Sequence, residues 1–234
     1  RLRDVQPVVR AEARDVVLAG ERIDVDAIGA AVTDVDAVAP GNVTTNAGIY
    51  AKNTALGNIS ISNSGLIDPA SYGIYADNVG NVSVSTSAAV TGNTGIHASI
   101  TGNTTNTNTV TVLASGAGVT GLAGNGIEAS TTGTGLVSVG TSGNRVTAPV
   151  HSYGNVTGFG DGIAVSGLGN LNVYTGNTTI SGGNASNSWG ITARSTGASG
   201  NGSVNCQRNK SVSRWNFASK SAIALGGAAK MKFT

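Results

Sequence analysis

The chain has 234 residues, 39% of them apolar, but only 11% are charged and 4% aromatic. So low a charge, with 35 glycines and many Asn, Thr and Ser, departs from ordinary globular composition, and the aliphatic content argues against a disordered linker. The net charge of +2 conceals an uneven spread: eight of the twelve acids lie in residues 1–36, and residues 205–234 carry six basic residues and no acid. No basic stripe interleaved with aromatics crosses the middle, which excludes the usual signature of nucleic-acid binding.

Residues 1–41 contain "RIDVDAI" and "TDVDAV", short alternations that predict an atypical coil or a cap over the first edge of a repeat array. No apolar run near Arg1 has the form of a signal peptide, and none reaches membrane-spanning length. The simplest expectation is a processed segment of a longer protein.

Residues 42–204 are repetitive. Gly-Ile-x-small occurs six times, as "GIYA" (48–51 and 73–76), "GIHA" (95–98), "GIEA" (126–129), "GIAV" (162–165) and "GITA" (190–193). The opening glycines are 25, 22, 31, 36 and 28 residues apart, in the range where periodicity signals a solenoid. Each is followed by an alternating segment: "GNISIS" (57–62), "GNVSVS" (80–85), "NTVTVL" (108–113), "GLVSVG" (135–140), "GNLNVY" (169–174) and, weakly, "GNGSV" (200–204). Period-two alternation marks strands with one buried face. The Gly-Asn pairs before them predict corners with left-handed backbone. A third motif has one aliphatic residue among small ones: "SGLID" (64–68), "AAVTG" (88–92), "AGVTG" (117–121), "NRVTA" (144–148) and "TTISG" (178–182).

Three short strands per repeat predict an all-β solenoid, a parallel β-helix of about six coils with three short strands per coil. At about 4.8 Å per coil it forms a rod roughly 25–30 Å long. If each Ile of the first motif points inward, the next residue points outward. One outward ladder is then Tyr50, Tyr75, His97, Glu128, Ala164 and Thr192, and the next is Lys52, Asp77, Ser99, Ser130, Ser166 and Arg194. Tyr50 and Tyr75 are the candidate surface-contact residues, either as an aromatic platform or as a stacking ladder that stiffens the rod. Lys52 beside Asp77 predicts an exposed ion pair, and His97 beside Glu128 predicts a second pairing.

Residues 205–234 abandon the repeat in "CQRNKSVSRWNFASKS", which concentrates charge and Trp215. A terminal cap and a shifted reading frame both account for the change. Cys206 is the one cysteine, so no internal disulfide forms.

The pairing of "GIYA…GNISISNSGLI" with "GIYADNVGNVSVSTSAAVTG" resembles the degenerate repeats of bacterial autotransporter passenger domains and filamentous-haemagglutinin-like adhesins, over about residues 42–204. The resemblance implies a right-handed parallel β-helix, type V secretion, and a place at the cell surface outside the bacterial outer membrane. It implies a non-catalytic stalk or adhesin role, a host or environmental glycan or protein as partner, and anchoring by a C-terminal barrel outside this chain. The low cysteine count agrees with export of an unfolded chain. The competing expectation is a fragment of a β-helical carbohydrate-active enzyme, a polysaccharide lyase or hydrolase. Such enzymes need clustered carboxylates, whereas Asp68, Asp77, Glu128 and Asp161 fall on different strands or coils. No catalytic, cofactor-binding or metal-binding residue and no cofactor is therefore assigned, and neither nucleic acid nor membrane is expected to touch this segment. "GFGDGIAVS" (158–166) resembles half of a calcium-binding nonapeptide repeat, but such repeats act in tandem and this one stands alone. The Thr-rich run 101–112 lacks partners in register on the other coils, as an ice-binding face requires.

Overall fold

The computed structural model describes residues 15–17, 23–27, 34–39, 48–54, 57–102, 104–152, 160–176, 178–183, 188–196, 204–207 and 215–219, with side chains described from 48 to 196. The described residues form twenty strands and no helix. In chain order these are β1 (Asp15–Val17), β2 (Ile23–Ala27), β3 (Asp34–Ala39), β4 (Ile49–Asn53), β5 (Asn58–Asn63), β6 (Ile74–Asn78), β7 (Val82–Thr86), β8 (Val90–Gly92), β9 (Ile96–Ile100) and β10 (Val110–Ala114). They continue as β11 (Val119–Gly121), β12 (Ile127–Thr131), β13 (Val137–Val139), β14 (Val150–Ser152), β15 (Ile163–Gly167), β16 (Leu171–Tyr174), β17 (Ile180–Ser181), β18 (Ile191–Ser195), β19 (Val204–Gln207) and β20 (Trp215–Ser219).

Every described pairing between these strands is parallel, and strands stack in chain order on three faces. The first face is β2-β4-β6-β9-β12-β15-β18-β20, the second β1-β3-β5-β7-β10-β13-β16-β19, and the third β8-β11-β14-β17. The chain is a parallel β-helix. The six repeats supply six rungs of the first face, with one further rung at each end. Eight rungs at about 4.8 Å give a first face roughly 34 Å long. At its last rung Trp215 and Phe217 take the register positions of Ile191 and Ala193, so the stacking continues past residue 204.

The core is made by like residues in register. Ile49, Ile74, Ile96, Ile127, Ile163 and Ile191 form one buried column of the first face, Ala51, Ala76, Ala98, Ala129, Val165 and Ala193 a second, and Asn78, Ile100 and Thr131 are buried in register at a third position. On the second face Ile61, Val84, Val112, Val139 and Val173 run in register, and all are buried. Stacked β-branched side chains repeat one good packing geometry at every rung.

Three sequence expectations need correction. The third-face slot of the fourth repeat is not filled by Val146 of "NRVTA". Val150 pairs there with Val119 and Ile180, while Val146 makes an isolated bridge to Thr175. Both valines are buried, so burial does not separate them; pairing with the neighbouring rungs does. The glycines of the Gly-Asn corners at 57–58, 80–81 and 169–170 are not left-handed; among described glycines that backbone occurs at Gly102, Gly116, Gly118 and Gly140. The asparagines act through their amides instead. Asn81 Nδ2 donates to Asn58 Oδ1 at 2.8 Å, and Asn81 Oδ1 accepts from the Thr109 N–H at 2.8 Å. The glycines that open the Gly-Ile motifs are required by crowding between coils. A Cβ at Gly95 would lie 2.5 Å from the Gly126 carbonyl oxygen, and one at Gly126 would lie 2.7 Å from that of Gly162. The third correction, the Lys52–Asp77 pair, belongs to the outward side of the first face.

Candidate functional site on the first face

The two predicted outward ladders are present in the predicted register. Tyr50, Tyr75, His97, Glu128, Ala164 and Thr192 succeed one another on adjacent rungs, as do Lys52, Asp77, Ser99, Ser130, Ser166 and Arg194. Parallel in-register pairing brings residues distant in sequence into file.

Tyr50 and Tyr75 stack with ring centroids 4.7 Å apart and planes 6° from parallel. The stack continues onto the His97 imidazole, 4.9 Å from Tyr75 and 11° from parallel. Tyr75 therefore has a ring on each face and presents its edge outward, which removes it as a flat platform for a sugar. Tyr72, in the turn before β6, meets Tyr75 edge-on at 5.1 Å and His97 at 5.7 Å. Tyr72 is the exposed ring of the group, at 42%; it was not anticipated, since it precedes the repeated motif. Burial raises the Tyr75 hydroxyl to about 12, with Asp77, its neighbouring tyrosines and Glu128 adding to the effect.

The polar half of the cluster lies beside the rings. His97 Nδ1 is 3.2 Å from Glu128 Oε2, and His97 Nε2 is 3.1 Å from Ser99 Oγ. The His97 contact holds the Glu128 carboxyl below its usual range, against the opposing effect of burial. Ser99 Oγ and Thr101 Oγ1 each donate to Asp77 Oδ1 at 3.0 Å. The predicted exposed ion pair is thus absent. Lys52 and Asp77 are in register, but Asp77 is buried and its acceptor oxygen is taken by two hydroxyls. Hydroxyl donors on the adjacent rung satisfy the carboxylate without tethering a long, hydrated lysine.

The remaining carboxylates do not join this cluster. Asp161 is fully buried, accepts the Trp189 N–H on Oδ1 at 2.8 Å, and its Oδ2 has no hydrogen-bond partner. Burial raises its pKa, opposed by Thr192 and the Trp189 N–H, although the Thr192 hydroxyl does not reach hydrogen-bonding geometry. Among the described residues no group of three His, Cys, Asp or Glu side chains gathers as a metal site. Cys206 occupies the register position of Val173 on β19, and its side chain lies outside the described residues.

No protein-family model, curated protein or solved structure matches the chain.

Proposed function

We infer that the chain is a stalk or adhesin segment of a type V secreted passenger domain, carried at the bacterial cell surface by a parent protein with a C-terminal membrane barrel. The observation that supports this best is the first face itself: six Gly-Ile rungs in unbroken register, with small polar or stacked side chains outward. Such a surface extends a rod by addition of equivalent coils and holds it together without disulfides. The aromatic stack reads as reinforcement of rungs, because Tyr75 has another ring against each of its faces. Its partners are glycans or proteins met outside the cell.

Placing the chain between a signal peptide and an outer-membrane barrel, then treating intact cells with protease, tests the export reading. Surface display with a protease-sensitive chain is expected; retention inside the cell counts against it. Incubating the purified chain with a polysaccharide panel tests the role. No release of reducing or unsaturated ends is expected, and such release would favour a carbohydrate-active enzyme.

A further inference from the structure

Three polar contacts run end to end across the rungs of β6, β9 and β12. Glu128 Oε2 lies 3.2 Å from His97 Nδ1, His97 Nε2 lies 3.1 Å from Ser99 Oγ, and Ser99 Oγ lies 3.0 Å from Asp77 Oδ1. Each contact needs one proton between its two atoms. We propose that His97 is an imidazolium at neutral pH, donating from both ring nitrogens, and that its second proton closes a pH-sensitive clamp joining Asp77 to Glu128 across three rungs. The device does not depend on the stalk reading, since it belongs to the rod whatever the rod carries.

Three contacts require three protons. Ionised carboxylates only accept, so neither Glu128 nor Asp77 supplies one. Ser99 has a single hydroxyl proton and donates it to Asp77. The other two contacts both fall on the imidazole, which carries one proton when neutral and two when charged. A neutral ring leaves a lone pair facing either the Glu128 carboxylate or the Ser99 oxygen. Turning the Ser99 hydroxyl toward Nε2 only moves the clash to Asp77. The charged ring gives every contact a proton.

The surroundings suit a cation at this position. Glu128 stands on the following rung, and Asp77 is the register partner of Ser99 on the preceding one. Tyr75 stacks on the imidazole at 4.9 Å, where its π electrons attract a cation, and Tyr72 meets the ring edge-on at 5.7 Å. Tyr50 lies behind Tyr75. Lys52, a rung before Asp77, is the like charge on this side and shares that carboxylate's field. Past Glu128 the two outward ladders continue with Ala164 and Ser166, which do not titrate in this range.

The direction of the pH effect follows. The folded rod holds the second proton more tightly than the unfolded chain, where His97 is an ordinary imidazole. The contribution to stability is complete below the ordinary value of about 6.5 and is lost where the folded ring gives up that proton at higher pH. Ser99 then has one hydrogen for two acceptors, and Asp77 falls back on Thr101 Oγ1 at 3.0 Å. The three rungs are tied most firmly in mild acid, down to the range where Glu128 itself takes up a proton.

The test is long-range proton–nitrogen NMR of the imidazoles in the full chain, with a His151→Gln variant assigning the two histidines. At pH about 7.5, where an ordinary imidazole is about nine-tenths neutral, both His97 nitrogens should give protonated-type shifts. One bare, lone-pair nitrogen on His97 at that pH overturns the proposal, and the unaltered chain decides this even where a variant fails to fold. Glu128→Gln should weaken binding of the second proton by about tenfold, the scale of a lost adjacent charge; an unmoved titration counts against the clamp. Melting temperatures at pH about 5.5 and about 7.5, either side of the ordinary value, read the mechanical consequence. The unaltered chain should melt higher at the lower pH, and the difference should shrink in His97→Gln. An equal difference in both chains would show that the proton ties no rungs.

Discussion

A Cβ on Gly126 meets Val150 Cγ1 at 2.6 Å as well as the Gly162 carbonyl oxygen on the next rung. The backbone of one coil occupies the space a side chain would need. Gly126→Ala should destabilise the rod by about 1–3 kcal/mol, as overpacking does. Gly143→Ala, where nothing lies within 4 Å of the added methyl, should be near neutral. Thermal or urea unfolding of the two variants checks the contrast. Titration offers a second test at this scale. The Tyr75 hydroxyl is raised from 10.0 to about 12, so the folded state holds that proton more tightly than the unfolded chain. Its contribution to stability is complete below pH 10 and is lost as the pH rises toward 12. Glu128 has the opposite sign. Its carboxyl is lowered from 4.5 by His97, so its contribution is present above that value and lost on further acidification. Urea midpoints against pH should show a Glu128-dependent fall below pH 4.5 that is absent in Glu128→Gln. Asp161, raised by burial, penalises the fold once it ionises. Asp161→Asn keeps an acceptor for the Trp189 N–H and should raise the melting temperature at neutral pH, the gain shrinking in acid.

At the scale of the element, the first and second faces were legible in the sequence and the third only in part. Strands of five residues with three inward positions, such as "IHASI" and "VSVST", carry enough alternation to fix both phase and register. The third face offers one inward aliphatic per strand, and its strands are two or three residues long. A single aliphatic carries no phase, so Val146 and Val150 were equivalent to a reader of "NRVTAPV", and only the neighbouring rungs distinguish them. The "RIDVDAI" alternation pointed to the first outer rung, β2, but the last one escaped notice for a related reason: Trp215 and Phe217 occupy Ile and Ala positions, and nothing in the motif announces an aromatic there. The candidate site was half legible. The stack of Tyr50 and Tyr75 and the pairing of His97 with Glu128 follow from the ladder, whereas the turn from Asp77 toward Ser99 and Thr101 depends on hydroxyl geometry that a ladder diagram does not contain. Element length also predicts local stability. Amides of β9 and β12, five-residue strands paired on both sides, should exchange slowest, and those of β17, a two-residue strand at the end of its sheet, much faster. Hydrogen exchange read by peptide or by NMR resolves the two groups.

For the molecule as a whole, stability is a sum of rungs and rung-to-rung interfaces and not the property of one globular core. The aromatic stack is confined to three adjacent rungs, since Glu128 and then Ala164 follow His97 in the ladder. It reinforces part of the rod and does not determine the fold. Tyr50→Ala and Tyr75→Ala should each lose about 0.5–1.5 kcal/mol and leave the β-type circular dichroism unchanged; collapse of that spectrum would mean that the ring stack, and not the aliphatic columns, carries the structure. The central claim is the in-register parallel stacking of coils, from which the core columns, the tyrosine stack and the contacts that join Glu128, His97, Ser99 and Asp77 all follow. Its most direct test is a pair of engineered cysteines on the second face in a Cys206→Ser background. Ser83 and Thr111 are register partners on β7 and β10, about 4.8 Å apart and within disulfide reach. Ser83→Cys with Thr111→Cys should therefore oxidise to an intramolecular disulfide without loss of structure. Ser83→Cys with Ser138→Cys spans two rungs, about 9.6 Å, and should stay reduced. Cross-linking of the second pair in preference to the first would contradict the stacking on which the whole account rests.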